Sequence, residues 1–137
     1  MVRLSLACFT LIATSSVAYT QPRQIGEKDT GRICKAAIAK IMGRDVRIIR
    51  MDRSEDGIAY VSYVRPNDKK QWKNRCRLEV DQVVWSTVDA FGPNSGFGPW
   101  RTRPEDEKVI YRLNGKSITI TEISSDGSKS SETMVVD

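Results

Sequence analysis

The sequence predicts an α+β fold in which one N-terminal helix packs on a strongly curved antiparallel meander sheet of about six to seven strands. One segment with helical periodicity, residues 30–43, precedes a series of short β-branched segments that turn residues separate. One cysteine lies in the helical segment and another in the third predicted strand. A disulfide between Cys34 and Cys76 would therefore tie the helix to strand three.

The N-terminus has the pattern of a signal peptide. Arg3 supplies a positive charge, residues 4–17 form an apolar run, and small residues precede a cleavage position after Ala18. We therefore expect an exported protein, periplasmic or secreted if the source is bacterial. Residues 19–28 predict a short flexible leader, and residues 29–137 predict a single domain.

Composition argues against the common catalytic centres. The 137-residue chain has no histidine, and it carries 22 Lys and Arg against 17 Asp and Glu, mixed along the sequence. Without histidine there is no usual triad and little basis for a transition-metal site, and no phosphate-binding glycine loop follows a strand. The acidic clusters at 55–56 and 105–107 fall in predicted turns. Catalytic carboxylates need two different environments that separate their pKa values, and solvated turns do not provide them. We expect no enzyme activity, no cofactor, no metal and no specific nucleic-acid recognition.

The helical segment has one apolar face. At 100° per residue, six side chains share one arc: Ile33, Cys34, Ala37, Ile38, Ile41 and Met42. Asp29 or Thr30 can cap the first turn, and Gly43 can adopt the left-handed conformation that ends a helix. A helix of this length is marginal alone in water, so its apolar face must rest on a sheet.

The rest of the chain predicts strands joined by tight turns. The predicted strands cover 46–52, 58–65, 72–81, 83–90, 107–113, 116–123 and 131–136. Turn residues separate them at 54–57, 66–68, 81–82, 114–115 and 124–128, and Asn114-Gly115 is the strongest hairpin signal. Successive strands with hairpin connections predict a meander that curls around the helix.

The third predicted strand alternates most clearly. Its core-facing set is Trp72, Asn74, Cys76, Leu78 and Val80, and charged residues lie between them. Cys76 therefore faces the helix, where Cys34 can reach it. The loop that the disulfide would close gives roughly 4 kcal/mol in the chain-entropy account. The alternative is a pair of buried free cysteines.

The glycine- and proline-rich loop at 91–104 is the first candidate site. Its predicted partner-binding residues are Phe91, Phe97, Trp100, Arg101 and Arg103. Aromatic and arginine side chains anchor protein interfaces, and long loops in compact domains are often functional. The hypothesis is a small exported binding protein (an inhibitor, an immunity-like protein or an envelope accessory factor) that engages a protein partner. Alternatively, Phe97 and Trp100 fold down as a lid over an open end of the sheet.

The outer face of strand three is the second candidate site. Its basic residues are Lys69, Lys70, Lys73, Arg75 and Arg77. They could bind an anionic polymer or a lipid headgroup. Glu79 and Asp81 share this face, so the alternative is an ordinary solvated strand face. The sequence does not indicate the oligomeric state.

Overall fold

The computed structural model describes residue 13, residues 15–18 and residues 24–137. Most of the predicted signal peptide and half of the predicted leader lie outside these residues, so both stay predictions. The described part contains one helix and one seven-stranded sheet. The elements are α1 Glu27–Met42, β1 Arg50–Glu55, β2 Ile58–Val64, β3 Gln71–Glu79, β4 Gln82–Val88, β5 Lys108–Asn114, β6 Ser117–Ile123 and β7 Lys129–Val135.

The helix begins at Glu27, three residues before the predicted start. The predicted caps, Asp29 and Thr30, were wrong because both lie inside the first turn. The N-cap is Gly26, whose carbonyl accepts hydrogen bonds from the amide and the hydroxyl of Thr30 at 2.9 and 3.0 Å. The predicted end is confirmed, since Gly43 has a φ of 63° and caps the last carbonyls.

The first strand starts later than predicted. Val46–Ile48 forms a turn of 3-10 helix, and β1 begins only at Arg50. Asp45 stabilises this turn by accepting hydrogen bonds from the amide and the guanidinium of Arg47. The same contacts, the guanidinium first, lower the pKa of the Asp45 carboxyl to about 2. A local side-chain cap thus overrides the β-branched residues of this segment.

The strands form one unclosed antiparallel sheet in sequential order, from β1 to β7. The predicted meander is therefore confirmed. The end of the third strand was also predicted wrongly: Val80 was expected in the core, but it lies in the turn between β3 and β4, where its φ is 55° and it is 94% exposed. The pairing of Glu79 with Gln82 places this turn at residues 80–81, one residue earlier than predicted.

The core lies between α1 and the concave face of the sheet. The helix contacts β1 through β6, so the sheet curls around it. This wrapping also buries Ala36 and Ala39, which the helical wheel placed on the outer face, while Ile41 and Met42 are only half-buried. The wheel assumed a flat support, and a curved sheet reaches further around the helix.

The predicted disulfide is confirmed. The Sγ atoms of Cys34 and Cys76 are 2.01 Å apart, their Cα atoms are 5.7 Å apart, and both residues are fully buried. Cys76 pairs with Ala59 on β2 and Trp85 on β4, so the bond joins the helix to the middle of the first four strands.

Replacing both cysteines by alanine should lower the free energy of unfolding by about 4 kcal/mol, because the bond closes a loop with a sequence separation of 42. Urea unfolding of the two proteins measures the difference. Reductant should shift the midpoint of the parent protein and leave that of the Cys34→Ala/Cys76→Ala variant unchanged. Equal midpoints without reductant would contradict the stabilising role.

A carboxylate pair lies beside the end of the helix. Glu122 on β6 is mostly buried and lies 3.7 Å from Lys40 on α1. Burial and a hydrogen bond with the neighbouring Glu107 raise the pKa of the Glu122 carboxyl, and Lys40 only partly opposes this. A raised pKa in the folded state means that protonation favours folding, so this contribution is lost as the pH rises through the folded-state value.

Glu122→Gln should therefore stabilise the protein at neutral pH, since glutamine stays uncharged. The gain in melting temperature over the parent protein should shrink as the pH falls through the folded-state pKa of Glu122 towards the unfolded-state pKa of glutamate, and it should stay constant below that value. Thermal unfolding across this pH range measures it. Glu132→Gln, at an exposed position on β7, is the matched control. A gain that grows on acidification would contradict the assignment.

Candidate functional site: the loop between β4 and β5

The loop after β4 pairs with the part of the β4 edge that β5 does not reach. β5 pairs with β4 only near its start, where Gln82 faces Ile110. The rest of that edge of β4 is occupied by the loop: the amide of Gly98 donates to the Thr87 carbonyl at 2.9 Å, and the amide of Arg101 donates to the Trp85 carbonyl at 3.0 Å. The loop is thus held as a short additional edge segment of the sheet.

Two local features shape the loop. The carboxylate of Asp89 accepts a hydrogen bond from the Gly96 amide at 3.0 Å, which with the nearby Lys73 ammonium lowers the pKa of that carboxyl. The second feature is the close approach of Gly98 to β4, where a Cβ atom would overlap the Thr87 hydroxyl. A side chain at position 98 would therefore force the Thr87 hydroxyl to move, and glycine avoids this.

Sheet register brings aromatic and basic side chains together on the convex face. Tyr60 on β2 faces Arg75 on β3, and Phe97 in the loop faces Val88 on β4. We call the resulting stack of six side chains the arginine–aromatic ladder. It consists, in order, of Arg53, Tyr60, Phe97, Arg75, Trp100 and Arg77.

Arg75 is the centre of the ladder. Its guanidinium carbon lies 4.1 Å from the ring centre of Phe97 and 4.0 Å from that of Trp100. Its nitrogens donate to the Ser86 hydroxyl at 2.9 Å and to the Gly98 carbonyl at 3.4 Å. Among the described residues it has no carboxylate partner within 4.0 Å. Arg75 therefore fastens the loop to the sheet while its charge stays without a counter-ion.

The structure separates the five predicted loop residues into three groups. Phe97 and Trp100 join the ladder. Arg101 stacks on Trp85 and lies 3.9 Å from Asp106, away from the ladder. Phe91 and Arg103 are exposed.

The five predicted basic residues also separate. Lys69 and Lys70 are exposed in the connection between β2 and β3. Lys73 lies 3.5 Å from Asp89, and Arg77 stacks on Trp100 at 4.5 Å and pairs with Glu79. The two candidate sites are therefore neighbours, since Arg75 and Arg77 contact the loop directly.

The loop covers part of the convex face. Val84 and Ser86, which point away from the helix, are fully buried. Trp100 is half-buried against Arg75 and Arg77, which agrees with a structural role for this residue. Phe91 and Phe97 are different, since 98% and 57% of their surfaces stay exposed.

Two grooves flank the exposed phenylalanines. The first, of about 590 Å³, is lined by ladder residues and by loop residues, among them Arg53, Tyr60 and Phe97. The second groove, of about 600 Å³, is lined by Trp72, Phe91 and their neighbours. Lys73 and Asp89 line both grooves. We call these two grooves, with their shared ion pair, the double groove.

Sequence reasoning missed Arg53 and Tyr60. Tyr60 alternates with the core residues Ala59 and Val61, which is the signal that places it on the convex face. No such signal exists for Arg53, because a bulge between Met51 and Arg53 changes the register of β1.

Within residues 13, 15–18 and 24–137, no three His, Cys, Asp or Glu side chains gather as metal ligands. In the same residues, no helix has the length and apolar character needed to cross a membrane. No protein-family model, curated protein or solved structure matches this chain.

Arg75→Ala should loosen the loop, because two stacking contacts and two hydrogen bonds disappear together. Hydrogen exchange at the amides of Gly98 and Arg101 should accelerate by about tenfold or more, which corresponds to a loss of at least ~1.4 kcal/mol in local stability. Arg103→Ala, at an exposed loop position, is the control and should leave both amides protected. Unchanged exchange in Arg75→Ala would show that the backbone hydrogen bonds alone hold the loop.

Proposed function

We propose that this protein is a small exported, non-catalytic binding protein that engages another protein through loop 91–104 and the double groove. An inhibitor, an immunity-like protein and an envelope accessory factor all fit this description. The proposal rests mainly on the exposure of Phe91 and Phe97, at 98% and 57%, in a loop that the sheet holds in place. Large exposed aromatics beside a groove are typical of interaction sites.

The fixed loop supports this proposal energetically. A partner that binds a flexible loop loses affinity to the ordering of that loop, whereas this loop is already hydrogen-bonded to β4 at Thr87 and Trp85. The surroundings also fit, since Arg53, Lys70 and Lys73 place positive charge at the margins of apolar anchors. Interfaces commonly combine an apolar centre with a polar rim.

Export supports the same proposal. A buried disulfide between Cys34 and Cys76 suits an oxidising compartment, as does the signal-peptide pattern of residues 1–18. We therefore expect the partner in the periplasm or outside the cell.

The alternative function is binding of an anionic polymer or a membrane surface through the basic face. Lys69 and Lys70 are exposed, and in the described part of the chain neither their ammonium groups nor the Arg75 guanidinium has a carboxylate within 4.0 Å. Such binding would weaken steeply with added salt. A polymer of charges has no need for exposed phenylalanines, so the observed surface favours a protein partner.

Replacing both loop phenylalanines by serine should abolish partner capture without unfolding the protein, because neither side chain belongs to the buried core. Truncation of two interface anchors should lower affinity by about thirtyfold or more. The measurement is quantitative capture from the envelope and the culture fluid of the source organism, followed by calorimetry with the captured protein.

Val80→Ser is the matched control, because Val80 is an apolar residue about as exposed as Phe91 but lies in the turn between β3 and β4. The control should retain the partner. If the Phe91→Ser/Phe97→Ser variant captures the same protein with the same affinity, the loop is not the binding surface. The alternative would be supported if the parent protein binds heparin or anionic vesicles and added salt removes that binding. The Phe91→Ser/Phe97→Ser variant should then bind them in the same way.

A further inference from the structure

The last strand of the sheet has an open and regular edge. β7 pairs with β6 along its whole length, from Lys129 to Val135, without a bulge or a proline. The amide of Val136 donates to Lys116 on the β6 side. Since backbone groups alternate in direction along a strand, the N–H and C=O groups of the odd-numbered residues point away from β6. Within the described chain, no backbone group pairs with them.

The opposite edge of the sheet is different. β1 is interrupted by a bulge between Met51 and Arg53, and its outer positions include an ion pair between Arg53 and Glu55 at 2.7 Å. Bulges and charges protect sheet edges against pairing with other strands. The bulge is confined to one of the two edges. β7 carries the charges of Lys129 and Glu132, but its regular backbone remains able to accept a strand.

The sequence of β7 fits a second copy of itself. An antiparallel pair centred on Thr133 would place Ser131 opposite the exposed Val135 and Lys129 opposite Asp137, twice by symmetry. Moving the centre to Glu132 would instead bring two glutamates face to face, which is unfavourable. In the favoured register the odd-numbered residues, whose backbone groups are free, exchange hydrogen bonds across the two-fold axis.

The opposed charges are available for this contact. Lys129 has no acidic partner within 4.0 Å among the described residues, and Asp137 has only an exposed contact to Lys116 at 3.7 Å. An exposed pair of that kind contributes little, so Asp137 can change partner at small cost.

We propose that two copies of this protein associate through their β7 strands, antiparallel and centred on Thr133, to form a continuous fourteen-stranded sheet. The loop after β4 is not part of this contact, so the dimer would present two double grooves. This inference is independent of the proposed function, because the dimer needs neither phenylalanine of the loop.

Sedimentation velocity between about 1 and 200 µM should show a monomer that converts to a dimer as concentration rises. Lys129→Asp and Asp137→Lys should each raise the dissociation constant by about tenfold, since each reversal affects two symmetric pairs. Combining both reversals should restore the parent value. Lys108→Asp, an exposed charge reversal on β5, is the control and should leave the dissociation constant unchanged.

A second pair of variants tests the backbone contact. Thr133→Pro removes an outward N–H, while Thr133→Ala keeps it, and both lose the hydroxyl contact to Thr119 at 2.7 Å. Dimerisation should fail only in the proline variant, with far-ultraviolet circular dichroism confirming that both variants fold. A parent protein that stays monomeric at 200 µM, or a double reversal that fails to restore association, would overturn the proposal.

Discussion

The disulfide between Cys34 and Cys76 fixes how the helix meets the sheet, and the rest of the structure depends on that contact. Cys76 lies at the middle of β3, flanked by Ala59 and Trp85 on the neighbouring strands. The middle of the helix, where Cys34 lies, is thereby held against three strands at once. With the concave face filled by α1, the convex face of the same strands is left for the loop after β4, and the arginine–aromatic ladder lies on that side.

The early departure of β5 from β4 determines where the loop lies. Only Gln82 pairs with β5, so the remaining edge of β4 would expose unpaired backbone groups. The loop satisfies them at Thr87 and Trp85, and this constraint places Phe97 next to Arg75. Backbone hydrogen bonds to β4 and stacking on Arg75 therefore hold the aromatic residues of the loop in the same position.

The sequence predicted the fold better than the site, for a physical reason. The periods of 3.6 and 2.0 placed Cys34 and Cys76 on facing surfaces, because each period is local and independent of the other. Boundaries such as Gly26 and Val80 were missed since they depend on which backbone groups bond. The ladder could not be predicted, because the meeting of Tyr60 with Phe97 requires the register of three strands and the path of the loop. Residue types alone identified the loop as unusual.

Stacking does not remove the ladder arginines from recognition. A guanidinium that lies flat on a ring uses its two faces, while its N–H groups point outward around its edge. For Arg75 only part of that edge is used, by Ser86 and the Gly98 carbonyl. The same side chain can therefore hold the loop and still donate hydrogen bonds to an acidic group of a partner. The proposed binding role of Arg75 is therefore compatible with its structural one, whereas Phe91 contributes nothing to the buried core and is available only on the surface.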